Sequence, residues 1–193
     1  MSAAYNASMN PAPATPAEAA AIVDFWREAG PSLWFAKDPE FDRRFCERFI
    51  ARYEAAARGE LSAWLITAEG ALALLLLLDQ FPRNVFRDTP RMYATDAMAC
   101  EIAAAAVDAG HDQAVEAEMA RFFYLPFGHS ESLADQERAV ALVRRLGEPD
   151  ISRAERHCGI VRRFGRFPHR NPILGRAMTE EEQRFLDEGG FAG

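Results

Sequence analysis

Four aromatic side chains stand four residues apart, at Phe41, Phe45, Phe49 and Tyr53, between an Asp38-Pro39 start and a Gly59 stop. That spacing places all four on one face of an α-helix and gives a β-strand nothing to use. The same pattern recurs along the chain, and no strand-like alternation interrupts it. Thr15-Pro16-Ala17-Glu18 reads as a capping box with proline at the first helical position, followed by an apolar face of Ile22, Phe25, Trp26 and Ala29. A very apolar third helix covers about 70–81 and is expected to stop at Pro82. Thr89-Pro90 opens a fourth that closes at Gly110. Asp112 is expected to cap a short fifth, ending near Tyr124-Leu125-Pro126. Ser130 or Ser132 starts a sixth, with Leu133, Val140, Val143 and Leu146 inward. A seventh runs from about Pro149 to Phe164, and a capping box at Thr179-Glu180-Glu181-Glu182 opens the last, carrying Phe185 and Leu186. The fold class is therefore all-α, about eight helices stacked as antiparallel hairpins because their links are short. No repeat of fixed period is present.

The 193 residues suit one domain, and 49% hydrophobic content suffices for its core. Residues 1–15 are expected to form a disordered tail and 16–193 a single all-helical domain. The tail has neither the basic start nor the apolar core of a signal peptide. The most apolar run, Ala71 to Leu78, is far too short to span a bilayer. Three widely spaced cysteines, Cys46, Cys100 and Cys158, point to a reducing compartment, so the expected location is cytoplasmic with no membrane partner. Lys37 is the single lysine. Abundant alanine accompanies the arginine bias, which is the mark of coding-base composition rather than of function.

Charged and aromatic residues gather where helices meet. Three segments stand out: Leu78-Asp79-Gln80-Phe81-Pro82-Arg83-Asn84, Phe123-Tyr124-Leu125-Pro126-Phe127-Gly128-His129-Ser130-Glu131, and Phe164-Gly165-Arg166-Phe167-Pro168-His169-Arg170-Asn171. The first and third share a short echo, glutamine or arginine followed by Phe-Pro, which both use on leaving a helix. If helices alternate up and down, all three junctions fall at one end of the stack, joined by the Trp34-Phe35 link. The candidate ligand-binding set is then Asp79, Arg83, Asn84, His129, Glu131, Arg166, His169 and Arg170.

Each residue also has a purely structural explanation. Asp79 faces the negative end of its helix and needs a cation, with Arg83, Arg166 and Arg170 the choices. A buried ion pair fixing the loop would account for it fully. Ser130 as a cap and Glu131 at a helix start need no ligand, which leaves His129 as a proton donor, ligand contact or hydrogen-bonded structural histidine. His157 borders the buried face of the seventh helix and reads first as a satisfied core residue. The catalytic candidates are His129, Glu131 and His157, with Glu131 or Asp79 orienting a histidine. From Arg138 to Arg176, ten arginines face only Glu148, Asp150 and Glu155, a local +7 against −14 elsewhere and −7 overall. Arginine forks suit phosphate and carboxylate oxygens, yet no phosphate loop is present. No metal-type spacing occurs, so no metal and no cofactor is expected.

The three segments, together with Phe25-Trp26 and Trp34-Phe35-Ala36-Lys37-Asp38, resemble the bacterial family called domain of unknown function 924, over about residues 18–191. The resemblance implies a fold like that of tetratricopeptide-repeat proteins and carries no established activity. Three readings follow. The first is a helical-hairpin binding domain whose cleft takes an anionic small molecule or a peptide carboxylate. The second is an enzyme, hydrolase-like, in which a histidine and a carboxylate do acid–base work on a phosphate- or carboxylate-bearing metabolite. The third is RNA binding through the arginine-rich C-terminal third, which the net acidity opposes. Nothing in the sequence fixes the oligomeric state.

Overall fold

The computed structural model describes residues 14–192, and among these every regular element is helical. The tail expected over 1–15 lies outside the described residues except for positions 14 and 15. Helix α1 (Ala17–Ala29) is followed by the single turn α2 (Pro31–Trp34) and by α3 (Pro39–Ala57). Asp38 caps α3 through the amides of Glu40 and Phe41. The capping box expected at Thr15 is not formed: Pro16 is the N-cap of α1 without a side-chain bond, and the Thr15 hydroxyl reaches Thr67 instead.

Helix α4 (Ala68–Leu75) is the hub. Ala71 through Leu78 are all at most 2% exposed, so the apolar run is a core helix wrapped on every side. No helix among the described residues is long and apolar enough to cross a membrane. The chain does not stop at Pro82. It widens into a π turn, Leu76–Gln80, and continues as α5 (Phe81–Val85). The Phe81 amide reaches back five residues to Leu76, and the Leu78 carbonyl, four residues before Pro82, accepts the Thr95 hydroxyl at 2.6 Å. Side chains of Phe25, Trp26, Phe41, Phe45 and Phe49 interlock beside this hub with ring centroids 5.3–5.9 Å apart.

The helix expected over 90–110 divides into a 3₁₀ turn, Pro90–Tyr93, and α6 (Asp96–Asp108). Asp112 does not cap a helix. It is buried in the 3₁₀ turn His111–Gln113 and accepts from Tyr124 and Arg145. Helix α7 (Ala117–His129) runs through Pro126 rather than ending there. Ser132 caps α8 (Leu133–Val143), while the Ser130 hydroxyl donates to Asp135. Leu133, expected inside, is 38% exposed because it opens the helix at the solvent edge. Helices α9 (Asp150–Phe164) and α10 (Glu180–Asp187) complete the chain, the latter with the expected Thr179–Glu182 capping box. From α6 to α9 consecutive helices pack on one another, and their short links reverse the direction each time.

Candidate functional site

One end of this stack collects the π turn and α5, the last turn of α7, and the loop after α9. Asp79 on the π turn is 1% exposed. Its carboxylate lies 2.7 Å from His129 Nδ1, accepts the Gln80 amide at 2.7 Å and meets Arg83 at 3.1 Å. Arg83 also bonds Asp96 at 2.9–3.0 Å, Asp96 accepts Arg170 at 3.3 Å, and Arg170 Nη2 donates to the His129 carbonyl at 2.9 Å. The contacts close a ring: His129, Asp79, Arg83, Asp96, Arg170 and back to His129. Arg170 is sandwiched between Tyr93 and Phe167, with its guanidinium 4.6 Å from each ring centre.

The electrostatics follow from burial and pairing. Burial pushes the Asp79 carboxyl up, but Arg83, His129 and Gln80 outweigh it and hold the group at about 2. Burial lowers the Arg83 guanidinium, and Asp79 with Asp96 more than restores it. For Arg170 burial wins and the shift is downward. Because Asp79 is a carboxylate, His129 Nδ1 carries the proton that binds it. The other ring nitrogen, Nε2, has no hydrogen-bond partner among the described residues.

The predicted residues divide into two groups. Asp79, Arg83, His129 and Arg170 share the ring, and the Arg83 partnership answers which cation compensates Asp79. Asn84 lies beside it, donating to Asp42, which also holds Arg87. His169 stands at the same end, packed at 5.1 Å against Phe191, with a buried Nδ1 that has no partner among the described residues. Glu131 is elsewhere engaged: it accepts both Arg176 nitrogens at 2.6 and 2.9 Å and the Phe167 amide at 2.8 Å. Arg166 is clamped by Glu182 at 2.6 and 2.8 Å and by the Ala177 carbonyl. His157 Nδ1 donates to the Gly128 carbonyl at 3.2 Å, and no carboxylate among the described residues orients it. Burial first, then nearby cations, holds both His157 and His169 at about 4, so each is neutral near pH 7.

Three hollows surround His129. The most polar, about 340 Å³, is lined by Trp34, Lys37, Arg83, Arg87, Tyr93 and His169 together with His129 itself. A larger open cleft of about 650 Å³ lies on the Asp96 side, and a third, about 380 Å³, opens between α7, α8 and α9. Sequence reasoning missed Asp96, the common partner of two arginines, because Asp96 reads as an ordinary acid at a helix start. It also missed Gln136, whose buried amide donates to the carbonyls of Phe127, Gly128 and Ser130 and so fixes the α7 terminus that presents His129. Among the described residues no cluster of three metal-type ligands forms.

Fold and site together define an all-helical protein with a closed ionic ring at one end of its hairpins and, in that ring, a histidine oriented by a buried carboxylate. The chain belongs to the family described as bacterial protein of unknown function (DUF924), whose model matches residues 22–190. It is similar to the solved structure of a protein of unknown function, ATU0120 from Agrobacterium tumefaciens. The two are 56% identical with a TM-score of 0.89, over 91% of this chain and 100% of that one. No functionally curated protein matches the sequence.

Proposed function

We propose that the protein is a helical-hairpin binding domain, of the tetratricopeptide-repeat-like kind and cytoplasmic, whose polar hollow takes an anionic small molecule or a peptide carboxylate. One observation carries this reading: His129, braced through Nδ1 by buried Asp79, lines a hollow that also holds Lys37, Arg87 and His169. Arg83 and Arg170 contribute less than their charge suggests, since Asp79 and Asp96 already neutralise them. Of the lysine and arginine side chains that line this hollow, Lys37 is the one without a carboxylate partner among the described residues, and it supplies the free charge. Three unpaired thiols fit a reducing compartment. Titration calorimetry with inorganic phosphate, succinate and an acidic peptide tests the reading. Binding of one of them that is lost in His129→Asn and in Lys37→Ala supports it. Binding that survives both substitutions, or is absent for all three probes, rules it out.

A second reading has its own support. A histidine 2.7 Å from a fully buried carboxylate, with its other nitrogen open, is also the geometry of a general base. Here Asp79 takes the orienting role that the sequence left between Glu131 and Asp79. Turnover of activated ester or phosphoester substrates that disappears in His129→Ala while succinate binding persists would favour the enzyme. RNA binding has lost its motive. Apart from Arg144 and Arg156, every arginine between 138 and 176 faces a carboxylate among the described residues.

A further inference from the structure

The hollow between α7, α8 and α9 differs from the polar one in chemistry. Its walls are the apolar faces of three helices, with Leu125 from α7, Ala139 and Val143 from α8, and Ala154 from α9. Phe35 and Phe191 close its sides. A side chain would meet nothing within 4 Å at Gly128, so the space is open down to the α7 backbone. Its volume of about 380 Å³ lies within the range of small-molecule sites, and its lining fits their usual make-up, mostly apolar with a few placed polar groups.

The charges at this hollow do not balance. Arg121, Arg153 and Arg156 contribute three guanidiniums, and Asp150 is the one carboxylate in the lining. Asp150 meets Arg121 at 3.6 Å and Arg153 at 3.9 Å, both long for an ion pair, while Arg156 faces no carboxylate among the described residues. Arg153 and Arg156 are exposed, so the cations sit at the mouth and the apolar surface behind them. An apolar chamber with a cationic rim is complementary to a molecule built the same way, with an apolar body and an anionic end.

We propose that this hollow is a second binding site, for a small amphipathic carboxylate whose hydrocarbon lies against Leu125, Val143 and Ala154 and whose carboxylate meets Arg153 and Arg156. The assignment does not depend on the polar hollow, although His129 borders both.

The test is displacement of the fluorescent probe 1-anilinonaphthalene-8-sulfonate from the full-length protein by decanoate, decanol and acetate. Decanoate displaces the probe, acetate does not, and decanol is weaker than decanoate by about fivefold, as exposed ion pairs allow. Arg153→Ala/Arg156→Ala, both on the surface and away from the core, brings decanoate down to the level of decanol and leaves decanol unchanged. Val143→Phe fills the chamber and weakens both ligands, with urea unfolding confirming that the variant is folded. Lys37→Ala, which disables the polar hollow, leaves decanoate binding intact. Equal binding of decanoate and decanol, or decanoate binding unaffected by the double arginine variant, overturns the proposal. Loss of decanoate binding in Lys37→Ala also overturns it, by placing the acid in the other hollow.

Discussion

Replacing Asp79 by asparagine keeps the shape of the side chain and removes one charge from the ionic ring. In the native protein Asp79 and Asp96 balance Arg83 and Arg170. Without Asp79 the two guanidiniums share Asp96 alone, and Arg83, only 14% exposed, keeps an uncompensated charge. Breaking a buried pair from one side costs about 3–5 kcal/mol, and the residual exposure of Arg83 favours the lower figure, about 3 kcal/mol. For a protein of this length that corresponds to a fall in Tm of about 6–12 °C. Urea unfolding followed by tryptophan fluorescence near neutral pH measures it directly. The sign with pH can be worked out independently. Asp79 has its folded value lowered from 3.8 to about 2, so its stabilisation is complete above about 4 and is lost as pH falls through about 2. Asp79→Asn should therefore flatten the acid limb of the wild-type stability profile between those values. A double-mutant cycle with Arg83→Met should give coupling of about 1 kcal/mol or more. If Asp79→Asn unfolds within about 0.5 kcal/mol of wild type, or the cycle shows no coupling, the ring does not hold this end together and the account of His129 orientation fails with it.

Other substitutions probe neighbouring parts of the same structure. Thr95→Val leaves the buried Leu78 carbonyl without its hydroxyl donor and should destabilise by about 1–3 kcal/mol in the same urea assay. Glu131→Gln weakens the fork with Arg176 and should cost about 1–3 kcal/mol; if the proposed anion site is the polar hollow, which Glu131 does not line, calorimetric succinate or phosphate binding should be unchanged. His157 and His169 have folded values lowered from 6.5 to about 4. The unfolded chain therefore binds protons first, and stability should decline as pH falls from about 6.5 to 4. His157→Gln should remove part of that slope, visible in unfolding midpoints taken across the interval.

Much of this architecture is readable from local pattern. The aromatic stripe of α3, the capping box of α10 and the glycine after α9 each carry their own geometry in a few residues. Helix periodicity also set the alternation that brings Asp79, His129 and Arg170 to one end. What the sequence leaves open is choice of partner. Asp79 had three arginines within reach of a plausible loop, and only the packed chain selects Arg83, routes Arg170 to Asp96 and gives Arg166 to Glu182. Glu131 looked as available as Asp79 for orienting a histidine. The difference is made by the Phe167 amide and Arg176, which come from a loop more than thirty residues away. A charged residue states its appetite in the sequence, but distant backbone decides which partner satisfies it.

Two prolines show where the local rules yield and what the exception achieves. Helices were expected to end at Pro82 and near Pro126, and neither does. At Pro82 the π turn changes the register of the backbone bonds, Thr95 takes up the Leu78 carbonyl, and Arg83 itself donates to the Asp79 carbonyl at 2.8 Å. Past Pro126 the helix end is secured by Gln136, which serves three carbonyls at once. Had the chain broken at these prolines, Arg83 and His129 would sit on loops and the 2.7 Å contact between Asp79 and His129 would depend on two independent flexible segments. Instead both residues ride on helices whose last turns are tied by buried side chains, the arrangement that holds a functional group in register. The polar side chains spent on carrying a helix beyond a proline are thus the same ones that make His129 a fixed element, and Thr95 and Gln136 act as positioning residues for a group that neither of them touches.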